Sequence, residues 1–389
     1  MRTRKDLEEL EDKILASYAM KSKDSTGREH EEPQHEGRTC YQRDRDRVVH
    51  AEAFRKLEYK TQVFVIFEGD YYRTRLTHTI EVAQLARTIG RNLRLNEDLI
   101  EAISLAHDLG HPPFGHAGEE ALDEIVRRGS GKGFNHNLRS FEIVTKFEKK
   151  YPHFDGLNLT REVLVGILKH ETIYDTPSGS AYRKFKEGPT LEAQVVDIAD
   201  SLAYLNHDID DGLTSGCIHE EDLMDSSLWQ RAVKKIGNDA KRSDPQMFKY
   251  QIVKELIDMQ VKDLLATTYQ GLKEISFKSS DEVKVYKQPV VCFSRQMAEE
   301  RDGLQQTLND KLYHHWRVER MTTKAKRVIQ NLFEVYLKNP KQLPYNIYSR
   351  QEEFTEAQKY EIIGNYIASM TDRFALDEHK RLFDPYQKV

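Results

Sequence analysis

Apolar residues recur every three to four positions over most of this chain, the spacing that places them on one face of an α-helix. Residues 3 to 20 read as a charged amphipathic helix, and a polar stretch with Gly and Pro, KSKDSTGREHEEPQHEGRTC, follows as a mobile loop. A helical pattern resumes from Asp44 to Tyr59. The β-branched and aromatic run Gln62 to Phe67, followed by Glu68-Gly69-Asp70 and two tyrosines, predicts a short β-hairpin. From Arg75 onward nearly everything is helical. Leu76, Ile80, Ala83, Ala86 and Ile89 form one apolar stripe, and Leu99, Ile103 and Ala106 form a second. RRGSGKGFNHN is a Gly-rich loop between helices, and a long helix runs from Thr190 to about Asp208. The stretch from Cys217 to Asp310 parses poorly, with a strand pair expected around KVYKQPVVCF, and the last quarter is helical again. The expected fold is mainly α, a helical bundle with a short β-hairpin and additional C-terminal helices. Three regions are expected: residues 1–42, an N-terminal helix and mobile loop; 43–215, the core; and 216–389, a mainly helical C-terminal region packed on it.

The 389 residues are enough for a large core. With 38% hydrophobic and 32% charged residues and a formal net charge of -5, the chain is an ordinary polar globule without a global field toward nucleic acid or anionic lipid. No apolar run approaches the ~20 residues of a membrane span. The N-terminus MRTRKDLEELEDK has no apolar signal core, and three scattered cysteines form neither a zinc pattern nor a disulfide framework. These features predict a cytoplasmic protein.

The chemistry is concentrated in a few places: His78 in RTRLTH, the pair His107-Asp108 in SLAHDLGHPPFGH with His111, His116 and Glu119 just beyond, and Asp200 in VVDIADSLAYLNHD. Imidazoles with carboxylates suit a divalent ion: Mg²⁺ or Mn²⁺ first, with Fe²⁺, Ni²⁺ and Zn²⁺ also compatible. Neighbouring residues in mid-helix point about 100° apart. His107 and Asp108 can share one ion only at a helix end, which Gly110, Pro112 and Pro113 supply. His78 and Asp200 would come from two other helices, making a bundle-core metal site. Asp200, Tyr204 and Asp208 lie at i, i+4 and i+8, along one helix face. Taken alone that face reads as solvated and acidic; beside a metal it reads as a pocket wall.

These motifs, with RDRDRVVHAEAFRKLEYKTQVF at 43–64, FNHNLRSFEI at 134–143 and YIASMTDRFALDEHKRLF at 366–383, resemble the HD superfamily's deoxynucleoside triphosphate triphosphohydrolases, above all the bacterial dGTPase-like branch. The resemblance is thin between 217 and 310. It implies an HD-domain bundle that hydrolyses a deoxynucleoside triphosphate, dGTP-like, to deoxynucleoside and tripolyphosphate. It implies His78, His107, Asp108 and Asp200 as ligands of one ion, His116 as the catalytic histidine and Glu119 as the acid orienting it. It places His111 and His136 near the α-phosphate and Arg75 on phosphate. Gln62 and Asp208 would hold the sugar 3′-hydroxyl, with Tyr204 against the sugar. A lysine that follows the metal aspartate in some relatives is Ser201 here, so the contacts to the outer phosphates differ. Relatives imply a homo-oligomer, often a hexamer, sometimes with an allosteric nucleotide.

Other readings compete. An HD phosphodiesterase or nucleotidase would use the same ion on a different bond; a bimetallic one needs more histidines, for which only His170 and His207 offer themselves. A non-catalytic nucleotide sensor has no need of His116 and Glu119. The Gly129–Gly133 segment fails the phosphate-loop pattern, because Gly133 stands where Ser or Thr is required. Arg43, Arg45 and Arg47 alternate with aspartates as in a salt-bridge lattice. The cluster Arg317, Arg320, Lys324, Lys326 and Arg327 reads as a solvated face, with single-stranded DNA or a regulatory nucleotide as the alternative partner.

Overall fold

The computed structural model describes residues 1–63, 72–170, 182, 185–237, 245–349 and 354–388. Helices dominate, and among the described residues β-pairing is limited to isolated bridges. The expected hairpin lies largely outside the described residues; Thr61 and Thr74, on either side of it, pair as one antiparallel bridge. No helix among the described residues is long and apolar enough to cross a membrane.

Capping chemistry sets where the helices begin. Thr3 and Thr39 build capping boxes at the starts of α1 (Arg4–Ile14) and α2 (Cys40–Val49). A short α3 (Glu52–Lys56) follows. Thr74 accepts from the Thr77 amide to start α4 (Arg75–Asn92), and Asn96 accepts from Asp98 and Leu99 to start α5 (Glu97–Ala106). Next come α6 (Gly115–Ser130), α7 (His136–Glu142), α8 (Arg161–Leu168) and the long α9 (Leu191–Ser215). Beyond these lie α10 (Ser227–Ile236), α11 (Pro245–Ile275), α12 (Ser280–Val285), α13 (Arg295–Leu308), α14 (Trp316–Lys338), α15 (Glu356–Ala368) and α16 (Asp372–Phe383).

Three apolar cores result. The first joins α2, α4, α5, α8 and the N-terminal half of α9, with Val82, Ile89, Leu99, Ile103, Val163 and Val196 fully buried or nearly so. The second packs the C-terminal half of α9 against α10, α11 and α13. The third joins α6 to α14, α15 and α16. Burying each large aliphatic side chain contributes roughly 1.5–3 kcal/mol, so α9, shared by two cores, ties them firmly together.

Several expectations are corrected. Ile80 is 51% exposed; α4 buries Thr79, Val82, Ala83, Ala86 and Ile89 instead, because this face also carries His78 inward. The expected strand pair at 284–293 is absent: the end of α12 and an irregular segment take its place, and Gln194 of α9 supplies the acceptor for the Val290 and Val291 amides. Most of the poorly parsed 217–310 stretch is helix. The loop expected to be mobile is anchored at many points. Glu11 receives Ser22, Glu162 receives Ser25 and Thr26, and Arg28 pairs with the buried Asp44. The boundary expected at 42–43 falls inside α2.

One joint positions the site. The Asp372 carboxylate accepts from the amides of Thr61 at 3.0 Å and Phe114 at 2.9 Å. Lys60 Nζ donates to the carbonyls of Ala368, at 3.1 Å, and His111. The C-terminal helices thereby hold the His107–His116 loop. Burial pushes the Lys60 ammonium down to about 7, and a neutral amine has two hydrogens for these two carbonyls. The unfolded value is near 10.4, so the folded state binds fewer protons between about pH 7 and 10.4, and the cost of burying the charge falls as pH rises through that window. Urea unfolding at pH 6.5 and 9 should show wild type gaining stability relative to Lys60→Met at the higher pH. A pH-independent difference would refute a neutralised Lys60.

Candidate active site

α5 ends at His107, and the chain turns through Leu109-Gly110 against α7. A Cβ on Gly110 would lie 2.1 Å from the His136 carbonyl and 2.3 Å from the Ser140 amide, so only glycine permits this approach. Ser140 Oγ donates to the His107 carbonyl at 2.6 Å and accepts from the Gly110 amide at 2.8 Å, fixing the corner. His107 and Asp108 therefore sit at a helix end, where adjacent side chains can converge.

They converge with His78 of α4 and Asp200 of α9. Ligand atoms of His78, His107 and Asp108 all lie within 4.8 Å of one another. His78 Nε2 is 2.8 Å and His107 Nε2 3.7 Å from Asp200 Oδ1. His107 Nδ1 stands 2.6 Å from the Ser104 carbonyl, which can only accept. The proton is therefore on Nδ1, and Nε2 presents its lone pair into the cluster, buried without a hydrogen-bond partner among the described residues. This donor set fits a divalent cation. Burial alone would raise the Asp108 carboxyl, but the facing His107 imidazole, the Arg75 guanidinium and the adjoining His111 hold it well below the usual carboxylate range.

Arg75, fully buried at the start of α4, gives NH1 to Asp108 Oδ2 at 2.9 Å; its Nε and NH2 have no hydrogen-bond partner among the described residues. His111 stacks on His136 with ring centroids 3.7 Å apart. Burial, then the neighbouring charges of Arg75 and His136, pushes His111 well below the ordinary histidine value, so it is neutral. Glu119 was expected to orient His116. Its direct partner is His136, which meets both carboxylate oxygens at 3.0 and 3.1 Å through Nδ1 and one of them through its amide at 2.8 Å. His116 Nδ1 stands 4.0 Å from Glu119, with the side chain 37% exposed. Burial opposes it, yet His136, His111 and His116 together hold the Glu119 carboxyl far below its normal range.

A cavity of about 500 Å³ opens beside this cluster, lined by Gln62, Phe114, His116, Glu119, Tyr204 and Tyr313, with α14 as its outer wall. The His116 ring lies 5.9 Å from that of Tyr204, which in turn meets His78 edge-on at 6.5 Å. Asp208 is buried behind Tyr204 and accepts the Tyr313 hydroxyl, presented by the π-helical turn Asn309–Tyr313. Burial pushes the Asp208 carboxyl well above its ordinary value. Gln62 Oε1 and Asp208 Oδ1 are buried without hydrogen-bond partners among the described residues. Of the Asp200–Tyr204–Asp208 face, Tyr204 lines the cavity and Asp208 lies buried, so the face is not a solvated one.

The structure adds residues that sequence reasoning left open or missed. His170 has Nδ1 on Asp197 at 2.6 Å and Nε2 on Asp200 at 3.3 Å. A histidine held between two carboxylates acts as a donor to both and orients Asp200. Asp197 is three residues before Asp200 on α9, a spacing that was legible, but its partner could come only from the packing. Arg73, Glu81 and His207 gather behind His78. The decoys resolve plainly. Gly129 lies within α6, and Lys132 pairs with Glu361. Arg45 bonds Asp46, Asp98 and Glu101 within the chain. Arg317 and Arg320 lie over the Trp316 ring, and Lys326 pairs with Glu120.

Comparison with known proteins agrees with this geometry. Residues 75–205 match the HD domain, and residues 291–381 match the phosphohydrolase-associated domain. A deoxyguanosinetriphosphate triphosphohydrolase-like protein of Geobacter metallireducens is 48% identical, covering 96% of each chain. Its counterpart in Geobacter sulfurreducens is also 48% identical, covering 98% of each. That of Caulobacter vibrioides is 42% identical over 95% of this chain and 96% of its own. HD domains are metal-dependent, and the family supports a phosphohydrolase function. With the four-residue cluster at the meeting of α4, α5 and α9, and with identity running nearly end to end, this chain belongs to the HD-domain family of deoxyguanosinetriphosphate triphosphohydrolase-like proteins.

Proposed function

We propose that this protein hydrolyses deoxynucleoside triphosphates, dGTP-like, to deoxynucleoside and tripolyphosphate. The observation that carries the reading is the convergence of His78, His107, Asp108 and Asp200 beside a cavity whose rim holds His116. These four residues would hold one divalent ion, Mg²⁺ or Mn²⁺ foremost, which when bound supplies Lewis acidity toward a phosphate oxygen. Arg75, with two unused donors, offsets phosphate charge. His111 and His136, stacked and backed by Glu119, face the α-phosphate. Water attacks the α-phosphorus, the bond to the 5′-oxygen breaks, and His116 gives that oxygen its proton. Gln62 and Asp208 hold the sugar 3′-hydroxyl, with Tyr204 packed on the sugar. The residue after Asp200, Ser201, accepts from Arg301 at 3.0 Å and is turned away from phosphate duty. A homo-oligomer, with an allosteric nucleotide at its interfaces, is part of the same proposal.

The test is a product assay. The protein is incubated with each of the four deoxynucleoside triphosphates, singly and mixed, with Mg²⁺ or Mn²⁺, and products are resolved by chromatography and phosphorus NMR. Deoxynucleoside with intact tripolyphosphate is expected. Monophosphate with pyrophosphate, or no turnover in any mixture, would move the reading to another HD phosphohydrolase or to a nucleotide sensor.

A further inference from the structure

Behind His78 lies a chain of groups that the chemistry above does not use. His78 and Glu81 are three residues apart on α4 and face α9, where His207 sits between them. His78 Nδ1 is 3.2 Å from His207 Nδ1, with the two rings nearly perpendicular. His207 Nε2 meets Glu81. Glu81 is gripped in turn by Arg73 Nε at 3.2 Å, and Arg73 is itself anchored on Asp211 at 2.6 Å and Asp210 at 2.9 Å. His78 and His207 are buried, so each nitrogen must find its partner within the protein.

The bonding directions follow from what each group can do. A carboxylate only accepts, so His207 Nε2 carries its hydrogen toward Glu81. The Nδ1 of His207 then holds a lone pair. Two ring nitrogens 3.2 Å apart share one hydrogen, and it belongs to His78 Nδ1. His78 Nε2, which stands 2.8 Å from Asp200 Oδ1, is then the nitrogen whose lone pair would meet an ion held together with His107, Asp108 and Asp200. We infer that Glu81 and His207 form a positioning relay, carboxylate to histidine to histidine, that fixes the tautomer and ring orientation of His78 as a metal ligand. Arg73 holds the far end of the relay in place. The inference rests on the proposed metal site. Neither His207 nor Glu81 touches substrate in it; both act through His78.

Mn²⁺ binding to the metal-stripped full-length protein, followed by calorimetry and by the metal-induced rise in melting temperature, tests this without reference to turnover. His207→Leu should weaken Mn²⁺ binding about 10–100-fold, the usual effect of removing such a support. His207→Asn keeps an acceptor where Nδ1 stood and should recover most of the loss. His207→Gln, which reaches only toward Glu81, should not. Glu81→Ala, at a position 43% exposed and so safe for folding, should weaken binding as well, because His207 is then free to change tautomer. Wild-type affinity in His207→Leu or Glu81→Ala would overturn the relay. So would equal losses in the Leu and Asn variants, since the effect would then be packing alone. Absence of Mn²⁺ binding by the wild type would defeat the metal-site reading itself, and the relay with it.

Discussion

Asp108→Ala should abolish metal binding and hydrolysis together. The Asp108 carboxylate is the electrostatic centre of the cluster: Oδ1 lies 3.5 Å from His107 Nε2 and 3.0 Å from His111 Nδ1, and Oδ2 receives Arg75 at 2.9 Å. Its removal takes one anionic donor from a site that has two. Loss of a bound Lewis acid forfeits several kcal/mol of transition-state stabilisation, and at 1.36 kcal/mol per decade that is roughly 10³-fold or more in turnover. The substitution also leaves the Arg75 guanidinium, 2% exposed, without its counter-charge. Stranding a buried charge costs about 3–5 kcal/mol of stability, so the alanine variant should also unfold earlier. Asp108→Asn, which keeps the shape and a hydrogen-bond acceptor, separates the two effects: it should stay folded and still lose the ion. Metal content by mass spectrometry beside turnover and melting temperature makes the check. Full metal retention in Asp108→Ala would reject Asp108 as a ligand.

His116→Ala should act on the chemical step alone. The side chain is more than one-third exposed at the cavity rim and belongs to no core, so its loss leaves fold and ion in place. A group that protonates a leaving oxygen contributes typically 10²–10⁴-fold, and turnover should fall by about that amount with metal content unchanged. Near-wild-type turnover would dismiss His116 as the acid. Because Glu119 contacts His136 directly and His116 only at 4.0 Å, Glu119→Gln should disturb the His111–His136 stack first. Its consequences for turnover are then those of misplaced phosphate-side histidines as well as of an unsupported acid.

Apart from the proposed metal ligands and catalytic histidine, the geometry explains why the C-terminal helices belong to one unit with the His107–His116 loop. Asp372 and the Ala368 carbonyl, more than 250 residues beyond the His107–His116 loop, bind the Thr61 and Phe114 amides and Lys60 directly. The match of 291–381 to a phosphohydrolase-associated domain has this physical content: it braces the loop that carries His107, Asp108, His111 and His116.

Legible in the sequence were the helical architecture, the helix starts near Arg75 and at Thr190, the break after Asp108 and the identity of the chemical groups. Each depends on local rules: the 3.6-residue period, side-chain caps, and the inability of Gly110-His111-Pro112-Pro113 to continue a helix. Local rules also misled. Ile80 fits the apolar period of α4 yet faces outward, because the choice between neighbouring faces was made by where His78 meets Asp200 and His207 of α9. Val290 and Val291 carry strand propensity, but their amides are taken by Gln194. Which carboxylate serves which histidine is set by the packing alone: Glu119 for His136, Asp197 for His170, Glu81 for His207. Glu119 and His136 join α6 to α7 across 17 residues, His170 just beyond α8 meets Asp197 of α9 across 27, and Glu81 with His207 joins α4 to α9 across more than 100. No periodicity specifies such pairs, because they depend on the register in which packed helices cross, and that register is set by the apolar cores rather than by the polar residues that use it.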